Sequence, residues 1–310
     1  SELRAATLTN YCYYRMFSGC SKLDNITMLA TNISATKCLE NWLSGVAASG
    51  TFVKASSMKS LPTGTSGIPK GWTVIDDTKY LTLSALEDGE ITITISSDLG
   101  TSCATYLSYS KDKSVWKKTD INGKNQTITI PVSSGDKVYL KGKAKQWYDQ
   151  SGPGGASIDS TANINVSGNI MSLLYEDNFE DKTVFPDNSQ HTFNLLFYYN
   201  KHLCSAEKLI LPATTLADSC YRFMFYMCSS LTTAPALPAT KLVENCYWSM
   251  FNGCTSLNSI TMLATDISAS NCLYNWVVGV APTGTFTKAL GASLPSGVSG
   301  IPSGWTVMNK

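Results

Sequence analysis

Residues 211–236 read LPATTLADSCYRFMFYMCSSLTTAPA, and residues 237–262 read LPATKLVENCYWSMFNGCTSLNSITM. The second segment repeats the first, so that Cys220 and Cys246 stand 26 residues apart. A period in the twenties with apolar residues at fixed positions is typical of a solenoid, in which no single unit can bury its own apolar face. We therefore expect neighbouring units to stack and share one core.

The repeat extends beyond these two segments. A third unit occupies 263–286, and a degenerate unit precedes the pair at 193–209. Residues 11–74 closely match residues 246–307, so the same module stands at both ends of the chain. Both copies end in a Gly- and Pro-rich stretch that closes on GWTV, which we predict to be a cap over the last open repeat.

Each unit predicts two local structures. A stripe of apolar residues has the spacing of a short helix or 3₁₀ turn: Cys246, Met250, Phe251, Cys254 and Leu257. The segment that follows, 259–263, alternates polar and apolar residues and predicts a short strand. One short helix and one short strand per unit is the plan of leucine-rich repeats.

The middle of the chain, 79–174, lacks the cysteine pattern. Its polar and apolar residues alternate instead, as in the strands of a β-sheet. Turn signals such as Asn122-Gly123 separate the alternating segments. Strands are predicted at 80–83, 90–95, 106–109, 126–130 and 137–140, with a last strand starting at Ile164. Short strands at such intervals favour a β-sandwich of the Ig-like or fibronectin-like kind.

The predicted fold class is therefore mixed α/β and multi-domain, with leucine-rich-repeat solenoid segments at both ends and the sandwich between them. Residues 1–77 form a partial leucine-rich repeat with a C-terminal cap in this interpretation. Residues 78–174 form the Ig-like sandwich, and residues 175–310 form a second solenoid with its cap.

Six of the ten cysteines occupy two repeat positions. Stacking would turn these positions into two ladders: Cys12, Cys220 and Cys246, and Cys20, Cys228 and Cys254. Free cysteine is among the most buried residue types, so the pattern favours buried thiols. Disulfides and metal ligation are the alternatives, although the spacing is too wide for a zinc knuckle and both histidines lie elsewhere.

Composition and chemistry exclude several classes of function. With 24 basic and 23 acidic residues, the chain lacks the clustered positive charge that nucleic-acid binding needs. No apolar run approaches the roughly 18–20 residues of a membrane span. His191 and His202 stand in no catalytic motif, and the acidic cluster at 176–181 lacks the spacing of a calcium loop. We predict no catalytic residue, no metal site and no cofactor.

Aromatic residues are the candidate binding groups, since exposed rings commonly anchor sugars and protein partners. In three units the first residue after the leading cysteine is aromatic (Tyr13, Tyr221, Tyr247), and it is predicted to be packed. The next position varies as Tyr14, Arg222 and Trp248, and such variation suits an exposed surface. Trp147 and Tyr148, in a predicted loop of the sandwich, form a second candidate surface.

The repeat core F-x-x-C-x-x-L, present at Phe225–Leu231, Phe251–Leu257 and Phe17–Leu23, resembles that of the BspA-like leucine-rich-repeat surface proteins of gut Bacteroidales. The segment 79–174 resembles the sandwich modules that such proteins interleave. This resemblance implies a secreted or cell-surface protein with a binding or adhesion role.

These observations together predict a non-enzymatic extracellular adhesion or ligand-binding protein. Its partner would be a host or bacterial surface protein or a glycan, bound by several weak contacts acting together. The alternative is a structural segment of a filament or phage-type fibre, in which the modules provide reach and self-associate into arrays.

The cysteine interpretation can be tested directly. If the thiols are buried and unpaired, a mild reductant is expected to leave the melting temperature unchanged, because no covalent cross-link is lost. Differential scanning calorimetry with and without reductant measures this. A drop of many degrees would instead indicate disulfides, whose removal typically costs about 2–5 kcal/mol.

Overall fold

The computed structural model describes most of the chain, namely residues 2–55, 58, 61–76, 79–100, 102–148 and 155–310. The chain divides into two compact units, 1–78 and 79–310. In the second unit the strands of 81–169 and the repeats that follow contribute to one hydrophobic core, and the predicted boundary at 174/175 lies within it.

The predicted mixed α/β class is wrong, because the structure is almost entirely β. The only α-helix in the described residues is α1, Ser172–Tyr175, and a 3₁₀ turn lies at Pro186–Asn188. The segment Cys246–Leu257, predicted as the helix of a leucine-rich repeat, contains no helix. The β content is instead distributed over four sheets.

The first unit contains a four-stranded parallel sheet in the order β1-β2-β3-β4. Its strands are β1 (Glu2–Leu3), β2 (Asn25–Met28), β3 (Thr51–Lys54) and β4 (Thr73–Asp76). Asn25 pairs with Thr51, 26 residues later, so the sequence repeat determines the register. Ile26, Phe52 and Trp42 are fully buried in this unit's core.

The second unit begins with strands at each position that the alternation predicted. They are β5 (Leu81–Ala85), β6 (Gly89–Ile95), β7 (Ala104–Ser110), β8 (Lys117–Asp120), β9 (Gln126–Val132), β10 (Lys137–Ala144), β11 (Ala156–Ser160) and β12 (Ile164–Asn169). Together with β13 (Leu203–Ile210) they form a six-stranded sheet, β13-β12-β5-β10-β7-β8, and a three-stranded sheet, β11-β6-β9. Alternate side chains of both sheets enter the same core.

The repeats continue from the six-stranded sheet. Strand β13 pairs in parallel with β12, and parallel bridges then connect Ser205 to Thr233 and Thr233 to Ser259. The last sheet is parallel, in the order β14 (Ser259–Met262), β15 (Thr285–Lys288), β16 (Thr306–Asn309). The strand predicted at 259–263 is β14.

In place of the predicted helices, each sequence repeat has a ten-residue series of turns, which we call a turn run. The runs are 10–19 and 36–45 in the first unit, and 190–199, 218–227, 244–253 and 270–279 in the second. In every run each fourth residue has a positive φ, as at Asn245 (54°), Ser249 (48°) and Gly253 (79°). An α-helix cannot contain these residues, because its φ is negative throughout.

The hydrogen bonds of a turn run alternate between two partners. The amide of Arg222 donates to the carbonyl of Ser219 in its own run, at 3.2 Å. The amide of Phe223 donates to Trp248 in the next run, at 3.0 Å, and those of Tyr221, Phe225 and Met227 also donate to that run. About half of a run's amides therefore depend on a neighbouring run.

The side chains of a turn run follow a period of four residues. In the run 218–227 and the residue after it, the inward side chains are buried pairs: Cys220 with Tyr221, Met224 with Phe225, and then Cys228. The intervening pairs, such as Arg222 with Phe223, face outward and are half-buried. Apolar pairs every four residues resemble a helical stripe of period 3.6, which explains the wrong helix prediction.

Inward aromatic rings stack from run to run. Phe197, Phe225 and Phe251 form one ladder, with ring centroids 5.4 and 5.6 Å apart and planes within 11° of parallel. Tyr221 and Tyr247 belong to a second ladder and are each 1% exposed, as predicted for packed residues. Tyr13, at the same position of the first unit, is half-buried.

No disulfide connects any of the cysteines in the described residues. The four ladder positions of the second unit are buried: Cys220, Cys228, Cys246 and Cys254. The thiol of Cys254 donates to the carbonyl of Phe225 at 2.9 Å, and burial raises the pKa of Cys246 to about 12. The prediction is wrong for Cys12 and Cys20, which are exposed. Cys12 lies in the run 10–19 and Cys20 directly follows it. The backbone amides of this run donate to the run 36–45, but its backbone carbonyls accept from no other run that the structure describes.

The Gly- and Pro-rich segments lie against the last run of each unit, where the sequence placed a cap. The indole N–H of Trp276 donates to the carbonyl of Gly300 at 2.8 Å, and that of Trp305 donates to Ala281 at 2.8 Å. Trp42 and Trp72 make the equivalent bonds in the first unit. The backbone amide of Val277, in the last run, donates to the carbonyl of Val298 at 3.2 Å, so the cap accepts a bond that a further run would otherwise accept.

The ring ladder predicts a large loss of stability for Phe225→Ala. This side chain is fully buried between Phe197 and Phe251, so truncation is expected to cost about 3–5 kcal/mol of the free energy of unfolding. Denaturant unfolding measures the change. Tyr274→Ala, at a ring that is 47% exposed, is the control and is expected to change stability by less than about 0.5 kcal/mol.

Candidate ligand-binding site

The outward positions of the four runs in the second unit carry a continuous series of aromatic rings, which we call the aromatic strip. Its members are Tyr198, Tyr226, Phe223, Trp248 and Tyr274. The ring centroids of successive members lie 5.3, 5.5, 6.4 and 5.2 Å apart. Since outward positions recur with the period of the repeat, the register that stacks the core also aligns these rings across one face.

Arg222 lies within the strip as its only cationic side chain. Its guanidinium carbon is 4.3 Å from the ring centroid of Trp248 and 4.8 Å from that of Phe223. These distances are within the range of cation–π interactions, which hold the guanidinium plane against the rings. Arg222 makes no ion pair with any residue that the structure describes.

A cleft of about 550 Å³ opens beside the strip. Tyr148 from the loop after β10 lines it, together with Tyr198, Arg222 and Phe223 from the strip. His191 and Asn194, from the run 190–199, are also part of its lining. The His191 ring centroid lies 5.8 Å from that of Tyr148, so this run and the loop meet in one cleft.

The cleft contains buried polar atoms without hydrogen-bond partners among the described residues. They are Nδ1 and Nε2 of His191, Oδ1 of Asn194 and Nε of Arg222. His191 is 7% exposed and Asn194 is 3% exposed. An unsatisfied buried polar group typically costs about 1–3 kcal/mol. Solvent does not reach these four atoms in this structure, so they are expected to gain partners when their side chains shift to bind a ligand or water.

The unpartnered buried polar atoms of the described structure all belong to three turn runs, 190–199, 218–227 and 244–253. The other buried examples are the hydroxyl of Tyr221 and Oδ1 of Asn245, which belong to the adjacent runs 218–227 and 244–253. The two sheets of residues 81–169 have none among their described residues. This concentration distinguishes the region from the rest of the second unit.

The imidazole of His191 is held neutral near pH 7. Burial lowers its pKa, and the nearby charge of Arg222 lowers it further, while Asp218 opposes both effects. A neutral imidazole offers one N–H donor and one acceptor nitrogen. Asn194 offers a carbonyl acceptor and Arg222 offers charged donors, so the cleft can hydrogen-bond to hydroxyl and anionic groups together.

The structure brings together three of the predicted binding residues. Arg222 and Tyr148 line the cleft, and Trp248 holds Arg222 in place. Tyr14 lies in the other compact unit, where it is 38% exposed beside Tyr11 and Arg15.

Trp147 does not form part of a surface, and its prediction as a binding residue is wrong. Its side chain is 1% exposed, and its indole N–H donates to the carbonyl of Leu173 at 3.1 Å. The predicted loop continues into 149–154, which lie outside the described residues.

Sequence reasoning missed His191, Asn194, Tyr198 and Tyr226 as site residues. Tyr198 and Tyr226 occupy the same position of successive units, 28 residues apart, and this recurrence was an available signal. The sequence assigns His191 no role, because this residue stands in no catalytic motif. Its unpartnered nitrogens follow from tertiary contacts, which the sequence pattern does not reveal.

The acidic segment 176–181 forms ordinary ion pairs. Asp177 accepts hydrogen bonds from Lys141 at 2.9 Å and from the Tyr80 hydroxyl at 2.6 Å. Within the described ranges, no group of three or more His, Cys, Asp or Glu side chains is placed to hold a metal ion. The described residues also include no helix with the length and apolar character that crossing a bilayer requires.

No protein-family model matches this chain, and no curated protein or solved structure matches it either.

The pKa of His191 predicts how stability depends on pH. Because the folded pKa lies below the unfolded value of about 6.5, the unfolded state binds more protons between the two values. The free energy of unfolding is therefore expected to fall as pH decreases through about 6.5. Urea unfolding between about pH 8 and about pH 5, on either side of the unfolded pKa, measures this slope.

His191→Gln is the matched variant for this measurement. It removes the titrating group, so the decrease in stability toward low pH should be smaller than in the parent chain. Identical slopes for the two proteins would show that His191 does not titrate with a lowered pKa.

Proposed function

We propose that this chain is a non-enzymatic extracellular adhesion or ligand-binding protein whose binding surface is the aromatic strip and the adjoining cleft. Its partner is a host or bacterial surface protein or a glycan. The observation that carries the proposal is the continuity of the strip across four turn runs, next to buried polar atoms that lack partners in the described structure.

The strip supports binding rather than a purely structural role. Aromatic rings that are partly exposed offer large rigid contact areas, and they anchor many protein and sugar interfaces. Tyr198 and Tyr274, at opposite ends of the strip, are 38% and 47% exposed. Several weak contacts along such a rigid face act together, so modest individual affinities give useful avidity.

The extracellular location rests on the resemblance of the repeat motifs to the BspA-like surface proteins. The stacked backbone itself is compatible with this location, because its cohesion comes from hydrogen bonds and ring ladders. Secretion can be tested by fractionating the source cells and probing each fraction with an antibody to this chain.

A structural segment of a filament remains the second candidate. It is favoured by strand β16, whose four residues are all exposed, including Val307 at 44% and Met308 at 53%. Such a strand edge can pair with another chain. Light scattering over a range of concentrations distinguishes the two candidates, since a filament segment would polymerise and a monomeric binder would not.

Trp248→Ala tests the leading proposal. It removes the ring at the centre of the strip and the support of Arg222, so binding to a glycan array or to immobilised mucin is expected to weaken about tenfold or more. Leu290→Ala is the control, because this residue is 78% exposed and lies outside the strip. Unchanged binding in Trp248→Ala would place the binding surface elsewhere.

Tyr14→Ala extends the same measurement to the first unit. A loss of binding there, with the strip intact, would assign a contribution to the predicted position Tyr14.

A further inference from the structure

We propose that the cleft recognises a sugar unit that carries a carboxylate, with Arg222 binding the acid group and the surrounding rings binding the sugar face. This inference rests on the proposed binding function and narrows its ligand to one chemical class.

The charge of Arg222 is available to a ligand. Arg222 lines the cleft and makes no ion pair with a described residue, and its Nε is buried without a partner. The ring centroids of Trp248 and Phe223 lie 4.3 and 4.8 Å from its guanidinium carbon, so the two rings restrict where the guanidinium can move. A planar guanidinium restricted in this way can bind a carboxylate through two parallel hydrogen bonds. These hydrogen bonds are stronger than those to a neutral acceptor, because both partners are charged.

The remaining polar groups of the cleft match hydroxyls. Asn194 Oδ1 is an acceptor, and neutral His191 provides one donor and one acceptor. A sugar hydroxyl both donates and accepts, so it can satisfy such groups in pairs. A simple inorganic anion would bind Arg222 but would leave the amide and imidazole unsatisfied.

The aromatic lining matches the apolar face of a pyranose ring. Tyr148 and Tyr198 present rings to the cleft, and Tyr198 is stacked on Tyr226 with planes 12° apart. The C–H face of a sugar packs on such rings while its hydroxyls remain at the edge. The volume of about 550 Å³ is within the range of about 300–1,000 Å³ found for small-ligand sites.

An acidic peptide is the principal competitor for the same cation. It would use Arg222 and the rings, but its own backbone amides would need partners beyond the two neutral groups of the cleft. The observations therefore favour a sugar, and a peptide ligand is one outcome that would overturn the proposal.

The test uses the full 310-residue chain on a glycan array that carries sialylated and uronic-acid glycans. Each acid is printed beside its methyl ester, which keeps the sugar and removes the charge. Matched sulfated and neutral glycans and acidic peptides complete the array. We expect binding to one or more acids, and we expect the signal for the matching esters to be lower by at least about tenfold.

Two variants test the residues. Arg222→Met is expected to lose the preference for acid over ester while its melting temperature remains close to that of the parent chain. Asn194→Asp places a carboxylate in the cleft with almost no change of shape, so it is expected to repel the acids. This second variant keeps the proposal testable if Arg222→Met does not fold.

Several results would overturn the inference. Equal binding of acids and esters, tighter binding of sulfated glycans or acidic peptides, or unchanged acid binding in both variants would each contradict it. If the chain bound neutral glycans and Trp248→Ala abolished that binding, the proposed function would stand. Only the preference for a carboxylate would be rejected. Absence of binding to every glycan and surface protein tested would reject both.

Discussion

The structure depends on one constraint of the backbone, which is that a turn run can satisfy only about half of its own amides. The amide of Met224 donates within its run to Tyr221, whereas that of Phe225 donates across to Met250. Because buried amides must be paired, an isolated run would leave alternate donors without partners. Stacking is therefore required by hydrogen bonding as well as by apolar burial. A helix differs in this respect, since all its interior amides are satisfied internally.

The same constraint explains which parts of the fold could be predicted. The strands of 81–144 follow a period of two, and the 26-residue repeat determines the register of β2 with β3. The helices were predicted wrongly because pairs such as Cys220-Tyr221 and Met224-Phe225 recur every four residues, which is close to 3.6. A signal that favours turns was present in Asn245, Gly253, Asn271 and Gly279. Asn and Gly tolerate positive φ better than other residues, and they stand eight residues apart in successive runs.

The candidate site was predictable only in part, for a related reason. Outward positions repeat with the unit, so the variable position of Arg222 and Trp248 could be assigned to a surface from sequence alone. The meeting of Tyr148 with His191 depends on how a loop of the sheet region packs against a turn run, and no repeat relates these two residues. Trp147 and Tyr148 are neighbours in sequence but point in different directions. The side chain of Trp147 enters the core, whereas that of Tyr148 lines the cleft, as expected where successive side chains alternate between two faces.

The division between inward and outward positions also indicates how such a chain can vary its surface without disturbing its core. Inward residues are fixed by ring ladders and buried thiols, and a change at Phe225 or Cys254 affects two neighbouring runs at once. Outward side chains lie outside the ring ladders of the core, so a ring at one repeat can become a cation at the next, as at Trp248 and Arg222. The cation is then held by rings of its own and the following run. A stack built in this way can vary its surface residue by residue while the hydrogen-bond ladder beneath it stays the same, and the unpartnered polar atoms of His191, Asn194 and Arg222 lie where this variable surface meets the cleft.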